Sequence, residues 1–572
     1  MSTTSSSPEV VAGIDIATAA VRVVCVDARG QVRAEAREPL PPPRRGAGGH
    51  SEQDARAWWP AVAAALRRAT AALPAGGREV VAVATSATSG TVVLADAAGE
   101  PVGPALMYDD RRAAELNARA QRIGAPRWQA LGLSVGPTAA LGRIAWLAGE
   151  EGDGGPSPLG HEPRADTPDG PPGSGPAPGG GPAGAALPAP GDRRGSPADM
   201  PAPADGPVST ARADAPDSAP GDQPAPATGR RPTAAARTRH LLHTPDLIAW
   251  RLTGGPVVTD WSHALKTGYD ARVGEWPAEV LDALGVPPQW LPPVQAPATE
   301  AGTVCAAAAD ETGLPVGCSV RLAMTDGCAG QIATGAVRPG QFVGVLGTTY
   351  VLKGVTRELV TDPSGALYSH RHPDGWWLPG GASNTGGEAL AHVPADRLPA
   401  LDRAAAARGP ASVVAYPLRR EGERFPFVSG EARGFLLGTP ADEADRHRAE
   451  LEGVAFLERL AIERVRELGV PVEGPLWAAG GGSRSPLWTR IRATALGMPL
   501  RVADHAETAF GAALLAASGT LHPDLEASAA AMVRTGRDIE PDEAERAALD
   551  ESYAAFTAAL RERGWLGRRA SL

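Results

Sequence analysis

One local pattern occurs twice in this chain, and it narrows the fold more than any other feature. Residues 10–27, VVAGIDIATAAVRVVCVD, and residues 342–355, FVGVLGTTYVLKGV, both read as strand, tight turn, strand. The apolar runs are β-rich. Small and hydroxyl residues fill the turns, Asp15 to Ala19 in the first and Gly347 to Thr349 in the second. Such turns line up backbone N–H groups and hydroxyls, which suits a chain of phosphates. Two of them far apart predict two related halves that grip one nucleotide. A third segment, WAAGGGSRSPLWTRI at 477–491, reads as strand, glycine turn, helix.

The rest of the chain reads as α/β units. Strands are predicted at 10–15, 21–27, 80–85, 91–96, 320–325, 342–346, 350–355 and 475–479. Helices are predicted at 53–72, 108–122, 442–469, 484–496 and 543–564. The helix over 442–469 opens on an acidic turn and carries a one-sided apolar stripe through Leu451, Val454, Leu457 and Ala461. Alternating strands and helices predict a mainly parallel sheet in each half, with antiparallel hairpins at its edge. Residues 151–236 differ from all of this. They are rich in Gly and Pro and include no aromatic residue and no isoleucine. Such a segment cannot bury enough apolar surface to offset its ordering entropy, so a disordered surface insert is expected there.

Charge and composition exclude other classes. The 65 acidic and 55 basic residues give a net charge of −10, the wrong sign for a nucleic-acid footprint. No apolar run approaches the roughly 18–20 residues that span a bilayer, so no membrane association is expected. The start, MSTTSSSPEVVAG, has neither the basic nor the apolar region of a secretory signal. Four cysteines at no metal-ligand spacing read as reduced thiols in a cytoplasmic protein. Only two lysines occur, Lys266 and Lys353.

Asp326 follows the apolar run VRLAM and precedes Gly327, so its carboxylate should stand at a strand end facing a cleft. Two local readings stand side by side there: a base that accepts a hydroxyl proton, and a cap on the next helix.

Six segments, taken together and in order, resemble the FGGY family of carbohydrate kinases, which belongs to the actin, sugar kinase and Hsp70 superfamily. They are GIDIATAAVR, the run SATSGTVVLADAAGEPVGPALMYDDRRA, AMTDGCAGQ, VLGTTYVLKG, GFLLGTP followed by AELEGVAFLER, and AAGGGSRSPLW. The resemblance spans the chain outside the insert. It implies two ribonuclease-H-like, actin-like domains with a ligand cleft between them. The first, sugar-binding domain would cover 8–330, interrupted by 151–236. The second, nucleotide-binding domain would cover 331–545, and a last helix at 546–567 would fold back on the first domain.

The resemblance also implies roles. Asp326 would be the catalytic base and a sugar contact. Asp15 would orient a Mg²⁺ ion that bridges the β- and γ-phosphates of ATP. Thr18 would donate to the transferring phosphoryl group. Gly347, Thr348 and Thr349 would bind phosphates, and Gly480, Gly481, Gly482 and Ser483 the adenosine. Thr88, Ser89 and Gly90, with Asp109 and Asp110, would hold the sugar. Lys266 is expected to contact substrate or to pair on the surface. Trp58, Trp59, Trp376 and Trp377 read as packing residues rather than a sugar platform. The first hairpin departs from the family, with Ala17 in place of a glycine and Ala19 in place of a hydroxyl residue. A Cβ at 17 would obstruct a backbone that needed positive φ.

The implied activity is ATP-dependent phosphorylation of a terminal hydroxyl on a small ketose, a pentulose such as D-ribulose or D-xylulose first. A kinase for another polyol or sugar acid (erythritol, glycerol, gluconate) is the nearest alternative. A catalytically impaired sugar sensor, suggested by Ala17 and Ala19, is another; an Hsp70-like chaperone lacks its substrate-binding domain. The small-molecule partners are the sugar and ATP, and a homodimer is compatible with the family.

Overall fold

The structure, a computed structural model, describes residues 8–150, 237–256 and 258–567; the insert expected at 151–236 lies outside them. The first half is built on strands β1 (Val10–Ala17), β2 (Ala20–Asp27), β3 (Val32–Pro39), β4 (Val80–Ala87), β5 (Glu300–Thr303) and β6 (Ser319–Thr325). They form one sheet in the order β5-β6-β4-β1-β2-β3. β1 and β2 make an antiparallel hairpin, and β1, β4 and β6 run parallel to one another.

The second half repeats the plan with β7 (Phe342–Leu346), β8 (Tyr350–Gly354), β9 (Tyr368–Arg371), β10 (Trp377–Ala382), β11 (Leu476–Ala479), β12 (Leu500–Ala503) and β13 (Thr535–Ile539). Their order is β9-β10-β8-β7-β11-β12-β13. β7 and β8 form the antiparallel hairpin, while β11 and then β12 follow in parallel. The duplicated pattern in the sequence is therefore a duplicated sheet.

The strands predicted at 80–85 and 91–96 do not pair with each other. Val80–Ala87 stays in the main sheet, but Val92–Ala95 leaves it for a smaller five-stranded sheet with residues 44–45, 51–53, 105–106 and 240–243. Gly90, at φ +85°, makes the break between them.

Helix α1 (Trp58–Ala71) covers one face of the first sheet through Val62 and Leu66, packed with Val10, Ile14 and Val83. The other face is closed by chain from far along the sequence. Helix α2 (Asp326–Ala333) follows β6, and α5 (Thr508–Ala517) and α6 (Leu525–Met532) follow β12. Phe510, Leu514 and Met532 pack on Val11, Ala82 and Ala84, and the same core takes in Val355 and Leu378 of the second half. The approach is close: a Cβ on Gly13 of β1 would lie 2.0 Å from the Ala509 carbonyl oxygen.

In the second half, α3 (Glu443–Glu467) and α4 (Pro486–Leu496) pack on the sheet. The last helix, α7 (Glu543–Glu562), joins them. Its Leu549, Tyr553, Phe556 and Leu560 share one core with Phe342, Phe456 and Trp488. The expectation that the final helix returns to the first domain is thus corrected: residues 508–532 cover the first sheet, and α7 stays on the second half.

Candidate active site

Each of the three phosphate-type turns is held by backbone or buried side chains. In the first, Ala17 pairs with Ala20, so the turn itself is Thr18–Ala19. Gln53 Nε2 donates to the Thr18 carbonyl at 3.0 Å, and Trp58 Nε1 fixes Gln53 in turn at 2.8 Å. Ala17 is ordinary strand with negative φ, since the one non-glycine residue of positive φ among the described residues is Ala298. Positive φ is therefore not required at Ala17.

In the second turn Leu346 pairs with Tyr350 across Gly347–Thr349. The Gly387 and Glu388 N–H groups donate to the Gly347 and Thr348 carbonyls at 2.8 and 2.9 Å. This glycine pair, Gly386–Gly387, was not singled out in the sequence. The third turn follows β11. Gly480 sits at φ +87°, and a Cβ there would lie 2.5 Å from the Leu346 carbonyl oxygen, so only glycine lets the two turns meet. Gly481 has open space, while Ser483 is buried and donates to the Ala479 carbonyl at 2.9 Å. A cavity of about 1190 Å³ opens between these turns, lined by Gly347, Thr348, Asp402, Gly481, Gly482 and Ser485. Burial works against the Asp402 carboxylate. Hydrogen bonds from His447 and Ser485 outweigh it and hold its pKa below the ordinary value.

Two carboxylates face each other at the ends of the parallel strands. Asp15 on β1 stands beside Ser86 on β4, and Ser86 Oγ donates to the Met324 carbonyl at the end of β6. Asp326 is the first residue of α2, with Thr325 as the cap position. Its Oδ1 accepts from the Gly327 N–H at 2.6 Å. Thr325 makes no side-chain cap bond, so the one carboxylate bond to the first turn of α2 comes from Asp326 itself. Burial raises the pKa of both carboxyls. For Asp15, Arg22 at 2.8 Å pulls the other way and the Asp326 charge adds to the rise. For Asp326 the opposing groups are the Gly327 N–H, His263, Lys353 and the Ser89 N–H, and the net shift remains upward. A raised carboxyl pKa suits a group that must take a proton near neutral pH.

The sugar candidates are divided by the fold. Thr88 adjoins Ile16, Ala17 and Thr18. Ser89 and Gly90 line a cavity of about 300 Å³ with Tyr108, Ser134, Thr138 and Lys266. The Ser89 hydroxyl is buried there without a partner. Asp109 pairs with Arg45 at 2.6 Å and keeps its second oxygen buried and unpartnered. Asp110 differs. It is fully buried, and it accepts from the Ser51 N–H at 2.6 Å and from the Arg112 backbone and guanidinium. Those bonds make Asp110 a pin for the loop rather than a free sugar contact.

Lys266 is not a surface ion pair, since its Nζ lies 3.8 Å from the centroid of the Tyr368 ring. The tryptophans pack, as expected. Trp58 is core, Trp59 bonds Glu311, Trp376 stacks on His372, and Trp377 packs with Ala264.

Several residues of the site escaped the sequence reading. Asp260 caps the short helix Trp261–Leu265 and holds His263, whose Nδ1 is 2.5 Å from its carboxylate. Burial opposes the His263 charge, but Asp260 raises its pKa overall. The Ser262 hydroxyl accepts from the Thr325 N–H at 3.0 Å, so this dyad braces the strand end that carries Asp326. The Asp-x-x-His spacing was the available signal. Lys353, Tyr368 and His370 come from β8 and β9, and nothing local marked them.

The family model described as the FGGY family of carbohydrate kinases, N-terminal domain, matches residues 10–153 and 229–333, and its C-terminal domain matches 342–520. A xylulose kinase from Streptomyces rubiginosus is 28% identical over 568 residues, covering 97% of this chain and 98% of its own. Among solved structures, xylulose kinase from Rhodospirillum rubrum superposes with a TM-score of 0.74 at 23% identity, covering 97% of this chain and 99% of its own. Gluconate kinase from Lactobacillus acidophilus does so at 0.73 and 18% identity, covering 97% and 98%. The chain belongs to the FGGY family of carbohydrate kinases, ATP-dependent phosphotransferases that act on sugars.

Proposed function

We propose that this kinase transfers the γ-phosphoryl group of ATP to the terminal hydroxyl of a small open-chain ketose, a pentulose such as D-xylulose or D-ribulose first. The observation that carries the reaction is the place of Asp326. It stands at a strand end beside the 300 Å³ cavity, through the Ser89 N–H, and across from Asp15 and the first phosphate turn. The pentulose follows from the relatives named xylulose kinase.

On this reading Asp326 accepts the hydroxyl proton as the oxygen attacks phosphorus. Thr18 from one half, and Thr348 and Thr349 from the other, hold the transferring phosphates. Gly481 and Gly482 flank the adenosine in the larger cavity. Phosphoryl transfer needs little covalent chemistry from the protein, so positioning by these rigid turns carries most of the effect. Asp15 is a single buried carboxylate with one oxygen taken by Arg22, and no cluster of three acidic, His or Cys groups occurs among the described residues. That donor set fits a Mg²⁺ ion that arrives on the nucleotide and keeps most of its waters. Bound there, the ion would neutralise phosphate charge.

The sensor reading rested on Ala17 and Ala19, and the regular strand at Ala17 removes its backbone argument. A panel of ketoses and polyols tested for ATP consumption decides between the two. Pentulose-dependent ADP release is expected, and none with any acceptor would overturn the proposal.

A further inference from the structure

The two lysines of this chain lie on different halves, and the fold brings both to one place. Lys266 ends the short helix Trp261–Leu265 and lines the 300 Å³ cavity. Lys353 comes from β8, and its Nζ is 3.5 Å from Cys328 Sγ on α2, two residues past Asp326. Tyr368 on β9 stands between their fields. Lys266, acting first and against burial, lowers its pKa, and Lys353 adds to that. His370, one strand repeat on, is pushed far below the ordinary histidine value by burial and by both lysines, so it stays neutral and offsets none of their charge.

Neither ammonium makes an ion pair with a carboxylate among the described residues. Three nearby arginines do: Arg22 pairs with Asp15, Arg45 with Asp109 and Arg112 with Asp110. The buried Arg143 is satisfied by backbone carbonyls instead, among them Gly90 and Thr138 of the cavity. Asp326 is the carboxylate felt by Lys353, and it is reserved for the acceptor hydroxyl. Half-buried charge without a counter-ion is costly; Lys266 has none and Lys353 shares only Asp326, so the cavity that Lys266 lines attracts an anion. Every other basic position in the chain is arginine. A compact ammonium with three rotatable donors differs from a guanidinium fork, and a carboxylate meeting the cavity wall end-on suits it.

We propose that the acceptor carries a carboxylate at the end remote from the phosphorylated hydroxyl, so that small sugar acids of pentulose size are phosphorylated in preference to the neutral ketose. Lys266 binds the carboxylate, the Tyr368 hydroxyl donates to it, and Lys353 adds its field from beside Asp326. The inference rests on the kinase reading above and changes only the far end of its acceptor.

The test uses the full chain and matched pairs, D-xylonate against D-xylulose and D-ribonate against D-ribulose. Turnover is followed by ADP release, and binding by calorimetry with a non-hydrolysable ATP analogue present. The acid should have the higher kcat/KM, by about 10- to 100-fold, the size of one charge-assisted hydrogen bond. Lys266→Met should collapse the acid-to-ketose ratio toward one, and Lys266→Arg should restore part of it. The KM for ATP should stay constant through the series, and melting curves confirm folding. A wild-type preference for the ketose overturns the proposal and leaves the kinase reading intact. An equal loss on both acceptors, or a raised KM for ATP in Lys266→Met, assigns the lysine to the phosphates and also overturns it. Acid bound tightly without ADP release upholds the anion pocket and sinks the kinase reading. Failure of both acceptors to bind or react sinks both.

Discussion

Glu458→Gln should destabilise the second half far more than its size suggests. Glu458 on α3 and Arg492 on α4 are both completely buried. Arg492 Nε and Nη2 donate to the two Glu458 oxygens at 2.6 and 2.8 Å. Nη1 also reaches Ser483 Oγ, and Nη2 the Gly344 carbonyl, each at 3.2 Å. One guanidinium therefore ties α3, α4, β7 and the turn at Gly480–Ser483. Burial alone would lower its pKa, and Glu458 more than reverses that. Glutamine keeps the shape but leaves a buried positive charge uncompensated, which costs about 3–5 kcal/mol. A protein domain has only about 5–15 kcal/mol in total, so the change is easily read. The double variant Glu458→Gln/Arg492→Met removes both charges and should recover at least about 2 kcal/mol of the loss. Urea unfolding followed by tryptophan fluorescence gives the stabilities, and calorimetry gives nucleotide affinity, which should weaken in the single variant because Arg492, without its carboxylate, is no longer held against Ser483. A single-variant cost below about 1 kcal/mol, or a double variant worse than the sum of the singles, would refute the reasoning.

Other outcomes follow from the same geometry. Asp15 and Asp326 both titrate above the ordinary carboxyl value of 3.8 because burial disfavours their charged forms. On the proposed reading the charged Asp326 is the base, so kcat/KM should be full above the raised pKa and fall as pH drops through it. Lys353→Met removes a group that lowers that pKa, and should move the acid limb upward; an unmoved limb would count against the contact. Gly480→Ala places a side chain at φ +87° against Leu346, at about 1–2 kcal/mol for the backbone alone, and should weaken nucleotide binding about tenfold by calorimetry. Ala17→Gly should leave turnover within about twofold, since Ala17 already has regular strand geometry, and should cost up to about 1 kcal/mol in stability.

The sequence made the duplicated sheet legible because a hairpin is a local object: strand periodicity and turn chemistry lie within twenty residues. The helix 443–467 was legible for the same reason. Docking partners were not. The apolar positions Leu549, Tyr553, Phe556 and Leu560 announce a buried helix face but not which half receives it. Residues 509–517 are buried all round, so no periodicity marks the sheet they cover. In the site, the glycine turns and Asp326 were visible as motifs. Asp110 looked equally polar, and only its bonds to Ser51 and Arg112 reveal it as a pin. Lys266, Lys353 and Tyr368 meet across elements far apart in sequence, and such a meeting leaves no local trace.

The kinase assignment turns on Asp326, and Asp326→Asn tests it most directly. The substitution keeps the size and removes the proton acceptor, while the Asn oxygen can still accept from the Gly327 N–H at the start of α2. Acceptor-dependent ADP release, measured with whichever acceptor the wild type uses best, should fall by about two to four orders of magnitude. Nucleotide affinity, which the proposed reading assigns to Gly347–Thr349 and the turn at Gly480–Gly482, should stay within a few-fold, and the melting temperature should stay close to wild type. Turnover at the wild-type rate in the Asn variant, with the fold intact, would contradict the account.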